Sequence, residues 1–286
     1  MPELPEVETV VKGLKSAVSG LKIVGIWADY APYFELPKDK IRFKRLILGR
    51  KILKIKRKGK GILFYLDSNF CLFVQQRMTG IFILSFWKHP KERFLEKIKK
   101  ENKFAHLVLF LEKNKALVFV DQRKFGKFFL GEKEKIFSLA FLRNLGKEPL
   151  SSDFKFKTFF NLAKKHGKKI LKNFLMDQKI IAGIGNIYAN EILWQAGLSP
   201  FKLARTLKEK EAKNLYKAIV FILKEGIKHK GSSISDFRDI RGRMGFYQKK
   251  FLVFMRKGKK CFRCGNLIKK VKISGRGSYF CPKCQS

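Results

Sequence analysis

Short apolar runs fill the first half of the chain, whereas in much of the second half apolar residues recur at three- and four-residue spacing. Within 21–130, the runs 52–55, 62–66, 71–74, 81–86, 104–111 and 116–120 are β-branched or aromatic and are separated by Gly, Asn, Asp or Lys clusters. Short strands in succession predict a sandwich. Ahead of them, Val7, Val10, Val11, Leu14 and Val18 share one helical face, and Pro5 suits a first helical turn. The texture turns polar at Gly131-Glu132-Lys133-Glu134-Lys135, and 145–153 (Leu-Gly-Lys-Glu-Pro-Leu-Ser-Ser-Asp) has the composition of a linker. The pattern is then helical to about residue 230, before a Gly-rich loop and a cysteine-bearing hairpin. The expected fold is an α+β multidomain chain. It has an N-terminal β-sandwich with flanking helices over 1–135, a linker over 136–153, a helical domain over 154–240 and a C-terminal hairpin over 241–286.

Charge narrows the class of partner. The 286 residues carry 64 Lys+Arg against 23 Asp+Glu, a formal net charge of +41, so neutralising a polyanion would be a large and salt-sensitive source of affinity. Nucleic acid fits best. Ribosomal and membrane-surface binding remain alternatives, and abundant Lys, Phe and Ile can also reflect codon bias in an AT-rich genome. No apolar run is long enough to span a bilayer, and the N-terminus lacks a basic stretch followed by an apolar one. The expectation is a cytoplasmic protein that stays with its DNA.

The five cysteines divide into one and four. Cys71 lies in the apolar run Phe70-Cys71-Leu72-Phe73-Val74 and reads as a buried strand residue. Cys261, Cys264, Cys281 and Cys284 form C-x2-C-x16-C-x2-C, the spacing at which two knuckles supply four thiolates to a tetrahedral zinc ion. Two disulfides are the competing reading and would need an oxidising compartment, for which no signal sequence argues. A site closed by four cysteines keeps no open position, so one structural zinc per chain is expected.

Two further strings carry chemistry. The chain begins Met1-Pro2-Glu3-Leu4-Pro5-Glu6-Val7-Glu8-Thr9-Val10. Removal of Met1 would make Pro2 a free secondary amine, and amines attack sugar carbons to form Schiff bases. The other string is Asp177-Gln178-Lys179-Ile180-Ile181-Ala182-Gly183-Ile184-Gly185-Asn186-Ile187-Tyr188-Ala189-Asn190-Glu191. Its glycines permit a tight turn, and Asn186 is expected to cap a helix over 187–196 that stops at Gly197, leaving a helix start suited to phosphate. A dinucleotide-binding loop is disfavoured, because Tyr188 occupies the third glycine position and a helical pattern precedes it.

Both strings resemble the formamidopyrimidine-DNA glycosylases, base-excision repair enzymes whose opening reads Met-Pro-Glu-Leu-Pro-Glu-Val-Glu-Thr and whose helical domain carries a helix-two-turn-helix motif. The resemblance implies a bifunctional glycosylase and abasic-site lyase that excises 8-oxoguanine and formamidopyrimidines from duplex DNA and cuts the strand by β,δ-elimination. Pro2 would be the nucleophile and Glu3 the acid that handles protons at the sugar. Lys60, in Arg57-Lys58-Gly59-Lys60-Gly61, matches a lysine that holds phosphate beside the lesion, and Arg276, in Gly275-Arg276-Gly277, a zinc-hairpin arginine that grips phosphate. Met78, Arg123 and Phe125 would fill the gap left by the extruded base, and Asn186 would contact the backbone near the lesion. Lys168 matches a lysine near the lesion, with Lys165 and Lys169 leaving its register open. The segment 232–248 corresponds to a loop that covers the flipped base.

The string departs from the family at Gln75 and Gln76, where His-Leu is common, and at Lys147, which replaces a linker proline and would loosen the hinge. An endonuclease VIII-like enzyme for oxidised pyrimidines and a non-catalytic zinc-containing DNA-binding protein are the alternatives. The implied partner is duplex DNA carrying oxidised bases, met by a monomer, with no membrane involved.

Overall fold

Strand alternation and helical spacing both materialise in a computed structural model that describes residues 1–88 and 90–285. In chain order the elements are α1 (Leu4–Val18), β1 (Ile23–Ala28), β2 (Phe34–Leu36), α2 (Lys40–Ile47), β3 (Ile52–Lys58), β4 (Gly61–Leu66), β5 (Phe70–Gln75) and β6 (Ile81–Phe86). They continue with α3 (Lys91–Glu101), β7 (Ala105–Leu111), β8 (Lys115–Val120), β9 (Lys127–Glu132), α4 (Lys133–Ser138) and α5 (Ala140–Arg143). The remainder is α6 (Phe156–Lys165), α7 (Leu171–Met176), α8 (Asn186–Ala196), α9 (Glu209–Lys228), β10 (Lys269–Ile273) and β11 (Arg276–Phe280). Contact density separates two units. The first comprises 1–2, 6–143 and 232–245; the second comprises 3–5, 144–231 and 246–286.

The first unit holds a four-stranded sheet in the order β1-β7-β8-β6 and a five-stranded sheet in the order β2-β9-β5-β4-β3. Inward residues of both sheets share one core with the apolar face of α1: Leu107, Leu109, Phe82 and Phe119 from one sheet, Phe64, Leu72, Val74 and Phe128 from the other, and Val7, Val10 and Leu14 from the helix. This is the expected sandwich. Its outer faces are also covered, which explains why β7 is buried at every position. Val108 and Phe110 of β7 pack with Phe94 of α3, while Cys71 and Phe73 of β5 pack with Ile136 of α4. Strands β1, β2 and β9 and the helices α2 and α3 lie in a stretch whose apolar runs mark only six strands, and the polar string from Gly131 is the end of β9 followed by α4.

The segment 232–245 packs with this unit although it lies far along the sequence. Phe237 and Ile240 enter the sandwich core, and the Ser232 N–H donates to Glu6 Oε1 at 2.7 Å. Asp239 accepts from the backbone N–H groups of Arg241 and Arg243, which closes the turn.

The second unit is helical, with a core drawn from α6 to α9, and ends in the two-stranded sheet β10-β11. Helix α8 is buried from Tyr188 to Trp194, as an element apolar around most of its circumference must be. It ends at Gly197, whose φ of 71° is the left-handed conformation expected of a C-terminal glycine. At the linker, Lys147 is held through both its backbone and its side chain. Its N–H donates to Ile180 O at 3.0 Å, a bond proline could not make, and its ammonium pairs with Asp153 at 3.3 Å.

Phe119 is fully buried against the rings of Tyr33, Phe82 and Phe128, at centroid separations of 5.5, 5.1 and 5.0 Å. Phe119→Ala is expected to cost about 3–5 kcal/mol in urea unfolding. A cost below about 1 kcal/mol would mean that the sandwich core collapses around the lost ring.

Candidate active site

The chain's own start caps its most buried helix. Glu3 Oε2 accepts from Gly185 N at 2.8 Å and Tyr188 N at 3.4 Å, and Oε1 accepts from Ile187 N at 2.9 Å. A carboxylate here satisfies N–H groups that the first turn of α8 leaves without intrahelical partners, and it meets the positive end of the helix dipole. The glycines are what allow it. A Cβ on Gly185 would lie 2.3 Å from Glu3 Cδ, and one on Gly183, whose φ is +92°, would lie 2.8 Å from Leu4 Cβ. Leu4 N also donates to Gly183 O at 3.0 Å. Gln178 braces the turn, taking the Gly183 N–H and donating to Ile184 O and Met176 O.

This corrects the expected cap. Gly185, not Asn186, is the N-cap residue, Asn186 is the first residue of α8, and the capping side chain comes from Glu3. Among the described residues, Asn186 Oδ1 is buried with no hydrogen-bond partner, while its carbonyl accepts from Asn190 Nδ2 at 2.6 Å and Lys172 Nζ at 3.2 Å.

Lys172, on α7, was not anticipated. It is 1% exposed, and burial pushes its ammonium down to about 7 despite the stabilising charge of Glu3; the nearby Arg276 guanidinium pushes in the same direction as burial. A lysine between Leu171 and Asn173 gives no sign of this in the sequence. Arg276 opens β11 and is exposed, after a tight turn whose Ser274 and Gly275 have φ of 47° and 77°. The Ser274 hydroxyl accepts from Asn173 Nδ2 at 3.0 Å, which ties the hairpin tip to the helix that carries Lys172. Lys168 is exposed in the turn after α6, next to Lys169, which pairs with Asp177 at 3.3 Å.

The other expected residues belong to the first unit. Pro2 is buried beneath an exposed Met1. Lys60 sits at the tip of the β3–β4 hairpin beside Gly59, whose φ is +57°. Arg57 braces that tip, donating to Gly59 O at 3.0 Å and pairing with Glu8 of α1 at 3.1 Å. Met78 and Phe125 are large apolar side chains left 41% and 46% exposed on two turns, with the Arg123 guanidinium 4.7 Å from the Phe125 ring centroid. Exposed apolar groups flanked by cations suit insertion between bases. Gln76 is not available to phosphate: it is buried, and its Nε2 donates to Gly80 O at 3.1 Å, shaping the turn that presents Met78.

The four cysteine sulfurs of the hairpin lie within 4.8 Å of one another, with Cys261–Cys284 at 3.9 Å and Cys264–Cys281 at 3.5 Å. Tetrahedral Zn–S bonds of about 2.3 Å place sulfurs roughly 3.8 Å apart, so the donor set fits zinc, whereas disulfide sulfurs stand about 2.05 Å apart. The cysteines are free. Although burial opposes it, the Arg263 N–H and the Trp194 indole, which donates to Cys261 Sγ at 3.4 Å, pull the Cys261 thiol down, while burial pushes Cys281 and Cys284 up. The hairpin is anchored on α8 by Glu191, which accepts from the backbone N–H groups of Leu252, Val253 and Phe254 at 2.7–3.0 Å, and by Asn190, which accepts from Tyr279 N at 2.9 Å. Burial pushes Glu191 up to about 7 while those three donors pull it down. A carboxyl in an otherwise apolar helix is the signal that could have identified Glu191.

Comparison with known proteins bears on all of these elements. Residues 1–128 match the formamidopyrimidine-DNA glycosylase N-terminal domain, 145–238 the H2TH domain of the same enzymes, and 258–286 the zinc finger found in FPG and IleRS. The chain is similar to formamidopyrimidine-DNA glycosylases of Pelotomaculum thermopropionicum (39% identity, 100% of this chain, 99% of that one) and Heliobacterium modesticaldum (40%, 100% of both). Among solved structures it is similar to a Lactococcus lactis FPG mutant in complex with Fapy-dG-containing DNA (TM-score 0.87, 35% identity, 100% of both chains). It is likewise similar to the MutM (FPG) protein of Thermus thermophilus (TM-score 0.84, 36% identity, 99% of this chain, 98% of that one). The four thiolates accordingly hold one structural zinc ion.

Gly185→Ala is expected to drive the Glu3 carboxylate off the helix start and to cost about 1–3 kcal/mol of unfolding free energy, the penalty for stranding buried polar groups. Urea denaturation measures this. A midpoint equal to wild type would show that the cap tolerates a displaced carboxylate.

Proposed function

The chain belongs to the formamidopyrimidine-DNA glycosylase family, DNA glycosylases and abasic-site lyases that excise oxidised purines, and we propose that Pro2 and Glu3 carry that chemistry here. The observation that carries the proposal is the seating of the Glu3 carboxylate by three N–H groups at the start of α8, which fixes the residue peptide-bonded to the nucleophile. Fixing a reacting group in place removes orientational entropy from the barrier. With Met1 removed, the Pro2 nitrogen attacks C1′ of the damaged nucleoside, the bond from C1′ to the base breaks, and the base leaves with a proton. Glu3 handles the proton at the sugar ring oxygen as the ring opens. The resulting iminium acidifies the C2′ proton. Its loss expels the 3′ phosphate (β-elimination), and a second elimination expels the 5′ phosphate.

We further assign Lys60, Arg276, Lys168 and Asn186 to the DNA backbone around the lesion, and Met78, Arg123 and Phe125 to the space vacated by the flipped nucleotide. Support comes from the exposure of Met78, Phe125 and Arg276 and from the braced hairpin tip at Lys60. The zinc holds the hairpin bearing Arg276 and takes no part in bond breaking. A DNA substrate and a zinc site of four thiolates support an intracellular setting, and no helix among the described residues is long and apolar enough to cross a membrane. The Lactococcus lactis protein has also been captured on DNA containing an oxidised pyrimidine, so pyrimidine lesions form the second substrate class to test.

Borohydride trapping on duplexes carrying 8-oxoguanine, thymine glycol or an abasic site tests the assignment. Retained Met1 or a tag ahead of Pro2 turns the amine into an amide and is expected to abolish trapping and excision. Glu3→Gln is expected to slow base excision by roughly 100-fold or more, and lyase action on a pre-formed abasic site far less, since that sugar already opens unaided. Wild-type trapping by blocked protein would move the nucleophile to an internal lysine.

Binding to undamaged duplex is expected to weaken steeply with salt, and Lys60→Ala and Arg276→Ala each to flatten that dependence by about one counterion. Fluorescence-anisotropy titrations across a salt series measure the slope. Unchanged slopes in both variants would return these side chains to ordinary solvated surface.

A further inference from the structure

One buried carboxylate bonds to both turns that carry Met78, Arg123 and Phe125. Asp121 follows β8 and is fully buried. Its Oδ1 accepts from the Thr79 hydroxyl at 2.5 Å, and its Oδ2 accepts from Gly126 N at 2.8 Å and from the Tyr33 hydroxyl at 3.4 Å. Thr79 Oγ1 in turn accepts from Arg123 N at 3.0 Å, so one hydroxyl links the carboxylate to a second point on the neighbouring turn. Thr79 immediately follows Met78, and Gly126 immediately follows Phe125. The turns themselves are tightly wound, with Arg77 and Lys124 at φ of 55° and 54°. Both are closed from below by Phe119: a Cβ on Gly80 or Gly126 would lie 2.5 or 2.6 Å from that ring.

A buried carboxylate is costly unless donors surround it, and here each oxygen has them. The Tyr33 phenol is held well above its ordinary pKa, first by burial and then by the charge of Asp121, so it remains a donor. The arrangement sets the separation of two turns whose tips are exposed apolar groups, while leaving Met78 and Phe125 themselves free of hydrogen-bonding demands.

We propose that Asp121, acting through Thr79 and the Gly126 N–H, is a positioning residue that presents Met78, Arg123 and Phe125 at the spacing needed to enter the base stack. The proposal rests on the reading of those three as the groups that fill the vacated space. Losing the link keeps all three side chains but lets the two turns that carry them separate, so the wedge meets the stack out of register. A displacement of about 1 Å in groups that position a reaction can cost up to about 100-fold in rate.

The test uses zinc-loaded, full-length protein and single-turnover rates on two substrates: duplex 8-oxoguanine and a pre-formed abasic site. Thr79→Val removes the hydroxyl at nearly constant shape and takes the donor from Asp121 Oδ1, while Oδ2 keeps the Gly126 N–H and the Tyr33 hydroxyl. It is expected to slow excision roughly 10-fold and lyase action much less, because less stacking remains to be broken at an abasic site. Thr79→Ser keeps the hydroxyl and is expected to restore excision to within about twofold of wild type. If Thr79 acts through the wedge, Thr79→Val with Phe125→Ala is no slower than Phe125→Ala alone; multiplied losses would overturn the proposal. So would equal slowing by Thr79→Val on both substrates, or wild-type excision by Thr79→Val in a protein where Phe125→Ala is slow. Wild-type excision by Phe125→Ala would remove the space-filling reading itself, and the proposal with it.

Discussion

The Glu3 carboxylate at the start of α8 is the interaction on which the placement of Glu3, Leu4 and Pro5 depends. A residue next to a chain terminus is ordinarily the least ordered part of a fold. Here it is 3% exposed and accepts from the N–H groups of Gly185, Ile187 and Tyr188. The Gly183-Ile184-Gly185 turn exists to admit it, since side chains at either glycine would overlap Glu3 or Leu4. The two strings most informative in the sequence are thus two halves of one contact, separated by some 180 residues.

The same device recurs. Glu191 gathers three N–H groups of the segment leading to the zinc hairpin, Asp121 gathers the two exposed turns, and Glu6 takes the N–H of Ser232 where the late segment joins the sandwich. In a chain with 23 acids against 64 Lys+Arg, these carboxylates are buried and spent on backbone N–H and hydroxyl donors. Their charge is therefore withdrawn from the surface, which leaves the exterior more basic than composition alone implies and better suited to phosphate.

Zinc does for the hairpin what apolar burial does elsewhere. Its small cluster comprises Trp194, Val253, Ile268 and the cysteines themselves, too few groups to order two short strands. Thiolate ligation supplies the missing stability, and Glu191, Asn190 and Trp194 of α8 connect the result to the helical core. Arg276 and Glu3 consequently depend on opposite ends of one helix: the amino end receives Glu3, and the later turns hold the hairpin that carries Arg276.

The sequence by itself marked β3 to β8 of the sandwich, the stop of α8 at Gly197 and the four zinc ligands, because each rests on local periodicity, a terminating glycine or fixed spacing, whereas β1, β2 and β9 gave no such run. It did not reveal α2 and α3, whose short amphipathic patterns are interleaved with strand-like runs. Nor did it identify the cap of α8: Asn186 has the right chemistry locally, but the tertiary fold brings a carboxylate from residue 3 that binds the same N–H groups with a full charge. Lys172 and Asp121 were illegible for a related reason. A charged side chain looks solvated in sequence, and only the packed structure decides which ones are buried and which donors or acceptors make that burial tolerable.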